Sequence, residues 1–300
     1  MADLSAQEIR DYCRAWSERA AAHHRLERVR GGVPRLHQAS PLANLCDDLE
    51  TADHEHLTAV VAGLTVCLVR QGGEFAGYGR DYRLMWAWCA EVLVGSGRGA
   101  QNLNESTLRR LFVLTCHAAL ARPVAPEIPG VERHARELVN GQASVVGYVA
   151  FPLLEQVVRA SCGRHFGAGG HVTHPFQTPG QLSSRHLYAV GGTCSSIGDL
   201  LWLYRQHYAS PAMRENLDAI DEHLADVVPG GVLGFRVLQS WRNETLSGTS
   251  ELPIIGAAVL SLVMLVALAE CEAGFGDAVA RVLSAAAGAS GDLQFYPLEG

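Results

Sequence analysis

Two short stretches of this sequence concentrate side chains able to hold charge. The first is Leu238-Gln239-Ser240-Trp241-Arg242-Asn243-Glu244-Thr245-Leu246-Ser247-Gly248, followed at once by a long apolar segment. Arg242 offers a planar fork of donors that fits a phosphate or a carboxylate. Around it, Asn243 and Ser247 are short polar groups of the kind that hold turns and cap helices, and Gly248 admits a positive φ. The second stretch is Phe151-Pro152-Leu153-Leu154-Glu155-Gln156-Val157-Val158-Arg159. Glu155 and Arg159 are i and i+4, one above the other on a helix, in the order that stabilises an ion pair. They stand on a face otherwise apolar at Leu154, Val158 and Cys162, where a charge requires a partner. His165 follows where that helix should end, and an imidazole there can exchange a proton near neutral pH.

Other chemistries lack their residues. All 24 basic side chains are arginine, so a Schiff base, a lysine general base and a P-loop lysine are excluded. There is no Gly-x-Ser-x-Gly elbow, and Gly95-Ser96-Gly97-Arg98-Gly99 follows a helical pattern, as an interhelical connection would. The closest histidine pairs are His54-Glu55-His56, which point apart on a helix, and His171-Val172-Thr173-His174, in a glycine-rich loop without cysteine or carboxylate neighbours. Neither has zinc spacing, and no metal or cofactor is expected. Glu244 and Glu251 flank the Arg-Asn turn as caps would.

The first stretch resembles the HEPN superfamily of helical proteins, whose last conserved turn reads Arg-Asn-x-x-x-His-Gly between two long helices. Arg242, Asn243 and Gly248 fall on that pattern, and Ser247 stands where the histidine would be. The second stretch looks like the Leu-Glu-x-x-Leu-Arg helix that opens such domains, so the resemblance covers residues 140–290. It implies a helical bundle and a homodimer in which arginine and histidine of two protomers meet for metal-independent RNA cleavage. In that chemistry an imidazole takes the 2′-OH proton and an arginine stabilises the charge developing on the phosphorane. Serine cannot replace that base. The resemblance therefore implies an RNA-directed or defence-related protein with a degenerate, weak or absent ribonuclease site at Arg242, Asn243 and Ser247. Arg159 followed by His165 is a second, looser arginine-histidine match. The alternative is a non-catalytic helical interaction or scaffold protein in which the Arg-Asn turn, with Gly248, is structural.

The elements that must position these groups are helices. The chain has 300 residues, 48% apolar and 18% charged, which is enough for a real core in one large domain or two. Its net charge of −7 argues against a non-specific grip on nucleic acid while leaving a local arginine patch open, and no DNA sequence readout is expected. Eight scattered cysteines, never Cys-x-x-Cys, read as small buried apolar groups in a reducing cytoplasm. The polar start of the chain does not read as a signal peptide, and Leu252 to Ala269 reads as a buried core helix, short of the ~20 apolar residues of a membrane span.

Apolar residues recur at three and four along most of the chain, which predicts an all-α fold. Ser5 with Glu8 reads as a capping box opening a helix to about Arg30. Further helices are expected at 41–52, 54–70, 82–94, 106–121, 131–139, 145–162, 195–208, 211–227, 233–242 and 254–269, with a loop from Gly163 to about Gln181. The three prolines from Arg122 to Gly130 mark a boundary between an N-terminal helical region, 1–125, and the HEPN-like bundle, 131–290.

Overall fold

A computed structural model describes residues 4–29, 49–70, 80–95, 103, 105–121, 141–167, 169–180, 185–227, 233–247 and 252–287. Among these residues the protein is all-α, with ten helices and one two-stranded sheet. In chain order the helices are α1 (Ala6–Val29), α2 (His54–Arg70), α3 (Arg80–Ala90), α4 (Ser106–Leu120), α5 (Gln142–Ser161), α6 (Ile197–His207), α7 (Pro211–Val227), α8 (Gly234–Ser247), α9 (Leu252–Ala269) and α10 (Phe275–Ala287). A π-helical turn, Glu91–Gly95, extends α3.

The bundle is organised around α9. From Ile255 to Leu268 its residues are buried on every side, so no face of it is amphipathic and other helices must enclose it. It packs along α5 and against α2, and crosses α3. At the α5 crossing the backbones touch: a Cβ built on Gly256 would lie 2.5 Å from the Gly147 nitrogen. One polar group of α9 is buried, Ser261, and its hydroxyl accepts the indole N–H of Trp86 from α3 at 3.0 Å. Among the described residues, no single helix is long and apolar enough to cross a membrane.

The remaining helices form an outer layer. α1 and α7 pack on α2, α4 packs on α5, and α8 bridges α6 and α7. The capping box opens α1 as its sequence requires: the Ser5 amide donates to the Glu8 carboxylate at 2.7 Å, and the Glu8 amide donates to Ser5 Oγ at 3.3 Å. The prolines of 122–130 lie outside the described residues, as do the helix expected at 131–139 and residues 41–48 of the one expected at 41–52, whose described end holds a single 3-10 turn, Leu49–Thr51. The elements on either side of the prolines contribute to one buried cluster, which runs from Ala6 to Val282. Cys13, Cys67, Cys89, Cys116, Cys162, Cys194 and Cys271 are buried free thiols; Cys46 is outside the described residues.

Three elements differ from expectation. α8 does not stop at Arg242 but runs to Ser247, because Ser240 bonds Glu244 at 2.9 Å and Gln239 bonds Asn243 at 3.3 Å, each four residues on along the helix. The Arg-Asn pair is thus helical, and Gly248 is outside the described residues. The loop after α5 carries an antiparallel hairpin, β1 (Phe176–Pro179) with β2 (Arg185–Tyr188), in which Phe176 faces Tyr188. α10 was not anticipated.

Because the α5–α9 crossing leaves no room for a Cβ, Gly256→Ala is expected to lower stability by about 1–3 kcal/mol, as overpacking does. Urea unfolding of wild type and variant checks this as a drop in midpoint at unchanged slope.

Candidate functional site

The two charged stretches meet. α5 brings Glu155 and Arg159 to the surface of the core, and α8 lays Arg242 over them. One oxygen of Glu155 lies 2.8 Å from Arg159 Nη2 and the other 3.3 Å from Arg242 Nη2. A single carboxylate, with its side chain 11% exposed, is held between two guanidinium groups. The rest of that face is apolar as expected, with Leu154, Val158 and Cys162 buried.

Each arginine also holds one carbonyl of the segment leading into α6. Arg159 Nη2 donates to the Cys194 oxygen, and Arg242 Nη1 donates to the Ser195 oxygen at 3.1 Å. The next residue, Ser196, caps α6 by accepting the Asp199 amide at 3.2 Å. Gly170, at φ +77°, makes room for Arg159, because a Cβ there would lie 2.8 Å from its Nη1. The junction therefore fastens the loop's exit to two helices at once.

Sequence reasoning missed the rest of this contact. Arg236, Gln239 and Arg242 recur every three residues, which puts them on one face of α8. Arg236 donates to the Pro179 carbonyl, and Gln239 accepts the Ile197 amide at 3.3 Å. Tyr188 of β2 adds a bond from its hydroxyl to Asp199 at 2.7 Å. The i, i+3, i+6 polar row was visible in the sequence, but its target, an irregular loop, was not. Asn243 is exposed and bonds Gln239 within α8, and Ser247 closes the same helix. Trp241 packs against the core.

His165 belongs to a different group. Arg159 is turned toward Glu155 and Cys194, and the neighbours of His165 are instead His207, His174 and Arg164. Its ring lies 5.6 Å from that of His207, 6.2 Å from His174 and 5.6 Å from Phe176. His165 Nδ1 is 2.5 Å from the Tyr208 hydroxyl, which is also 3.3 Å from the Cys162 carbonyl. One hydroxyl hydrogen cannot serve both. If Tyr208 donates to the carbonyl, which can only accept, then His165 Nδ1–H donates to Tyr208 and Nε2 is the atom that titrates. Burial, then the neighbouring His207, His174 and Arg164, hold the His165 pKa below that of an ordinary imidazole.

His54 bonds the Leu268 carbonyl at 2.9 Å, and His56 bonds Asp53 and the Leu4 carbonyl. Among the described residues, no group of three or more His, Cys, Asp or Glu is placed to hold a metal ion.

Two expectations follow. Glu155→Gln removes the charge that two partly buried guanidinium groups share; a fully buried pair would cost about 3–5 kcal/mol to break, and solvent access at the arginines brings this to about 2 kcal/mol. Chemical denaturation measures that loss, and the double variant with Arg242→Gln should lose less than the sum of the single ones. For His165, the depressed folded pKa means that the unfolded chain binds the proton more readily. The native state is at full stability above the ordinary imidazole pKa of ~6.5 and loses stability as pH falls through the folded value. Wild type should therefore lose stability relative to His165→Gln as pH drops from about 7 to 5, read from urea midpoints at each pH.

Comparison of the chain with protein-family models, with curated proteins and with solved structures finds no match.

Proposed function

We propose that the protein is a non-catalytic helical interaction protein in which the Arg-Asn pair serves structure. The observation that supports this is the engagement of Arg242, whose two terminal nitrogens are directed to Glu155 and to the Ser195 carbonyl. A guanidinium poised to stabilise a phosphorane needs donors aimed at open space, and it needs a proton acceptor beside it. Here each terminal nitrogen already has a partner, the loop carbonyl or the carboxylate, and Ser247 offers no base.

A second reading is an RNA-directed, HEPN-like homodimer with degenerate or absent nuclease activity. One feature favours it, the surface group formed by Arg164, His165, His174 and His207, which places an arginine beside three imidazoles away from the Arg-Asn pair. Residues Arg242, Asn243 and Ser247 would then shape the bundle that presents that group.

The two readings part on Arg242. Under the first, wild type and Arg242→Ala leave a labelled RNA equally intact and bind it equally, while the variant unfolds at lower urea. If wild type cleaves RNA and Arg242→Ala abolishes cleavage at an unchanged urea midpoint, the pair is catalytic and the proposal fails.

A further inference from the structure

We propose that Arg164, His165, His174 and His207 form a binding site for a phosphate group, carried by a small molecule or by an oligonucleotide. The site stands apart from the Glu155 junction and does not depend on the role of Arg242.

Three separate parts of the chain supply it. Arg164 and His165 follow the end of α5, His174 precedes β1, and His207 is the last residue of α6. Arg164, His174 and His207 are exposed while His165 is half-buried, with the Phe176 ring against it and Tyr208 holding its Nδ1. Fixing that nitrogen orients the ring and leaves Nε2 outside the Tyr208 bond. The His165 ring lies 5.6 Å from that of His207 and 6.2 Å from that of His174, so a small anion held at His165 would have both imidazoles as neighbours.

Charge decides the kind of ligand. The three imidazoles are not placed to share a metal ion, and Arg164 would repel one. Among the described residues no ion pair joins Arg164, His165, His174 or His207 to a carboxylate; Asp199 is bonded to Tyr188, Asp218 to Arg205, Glu270 to Ser161 and Glu155 to the two arginines. The ends of α5 and α6 meet here, as the Tyr208 bond to Cys162 records. Each helix C-terminus carries roughly half a negative charge, so together they offset about one of the four cations. Fully protonated, the group would keep about three positive charges beyond that offset. A tetrahedral dianion supplies the counter-charge, accepting from several donors at once as phosphates do at arginine and histidine groups.

Anion binding and proton uptake are then linked. A bound anion favours the imidazolium form of His165, which burial and then His207, His174 and Arg164 otherwise disfavour, so affinity rises as pH falls. Sulfate keeps its charge between pH 5 and 8 and isolates this linkage from the titration of phosphate itself.

The test is NMR of the histidine imidazoles in the intact protein, titrated with inorganic phosphate, sulfate, a nucleoside monophosphate and a short single-stranded RNA. The expected result is a saturable shift of His165, with sulfate affinity rising from pH 8 to pH 5.5. His174→Gln and His207→Gln, both at exposed positions that leave the fold intact, should each weaken binding about five- to tenfold. Tighter binding of RNA than of phosphate assigns the phosphate to an oligonucleotide, and equal binding assigns it to a small anion. If neither phosphate nor sulfate shifts His165 at pH 6, or if the two variants bind as wild type does, the proposal is overturned.

Discussion

An 18-residue helix that is apolar on all sides cannot lie on a protein surface, and the arrangement of this chain follows from hiding α9. Enclosing it takes helices from both sides of the proline-rich segment. α2 and α3 cover it from the first part of the chain and α5 from the second, and α2 in turn receives α7. The touching backbones at Gly256 and Gly147 bring α5 closer to α9 than side chains would allow, and dispersion contacts gain steeply from such closeness. Where α9 does carry a hydroxyl, Ser261, a tryptophan from α3 arrives to satisfy it.

The position of α5 fixes everything polar on that side of the bundle. Its inner face is committed to α9, so Glu155 and Arg159 emerge at the edge of the core, where a carboxylate with little access to water needs cations. Arg159 answers from the same helix and Arg242 from α8. The two arginines have donors to spare, and these reach the consecutive carbonyls of Cys194 and Ser195. A loop with little regular structure is thereby tied at its exit, and its hairpin is tied to α8 through Arg236 and to α6 through Tyr188. The same loop carries His174 to the ends of α5 and α6. The histidine group and the Glu155 junction are thus two outcomes of one loop being held at two places.

Much of the fold was legible because helices announce themselves locally. The Ser5–Glu8 capping box, the i, i+4 order of Glu155 and Arg159, and the long apolar run of α9 each depend on residues within one or two turns. The end of α8 was misjudged because short polar residues suit both a turn and a helix, and side-chain bonds within α8 decided for the helix. The hairpin was hidden because its two strands are four residues each, too short for an alternating pattern to stand out.

The sequence by itself determined the helical class, the absence of lysine chemistry and the pairing of Glu155 with Arg159, since each follows from residue type or from spacing along one helix. Only the tertiary structure decided what Arg242 and His165 face. Arg242 is 87 residues from Glu155 in the chain and His165 is 42 from His207, distances over which no periodicity carries information. Those partners are set by how the outer helices and one irregular loop pack around a buried one, and that packing gave Arg242 a carboxylate and gave His165 two further imidazoles.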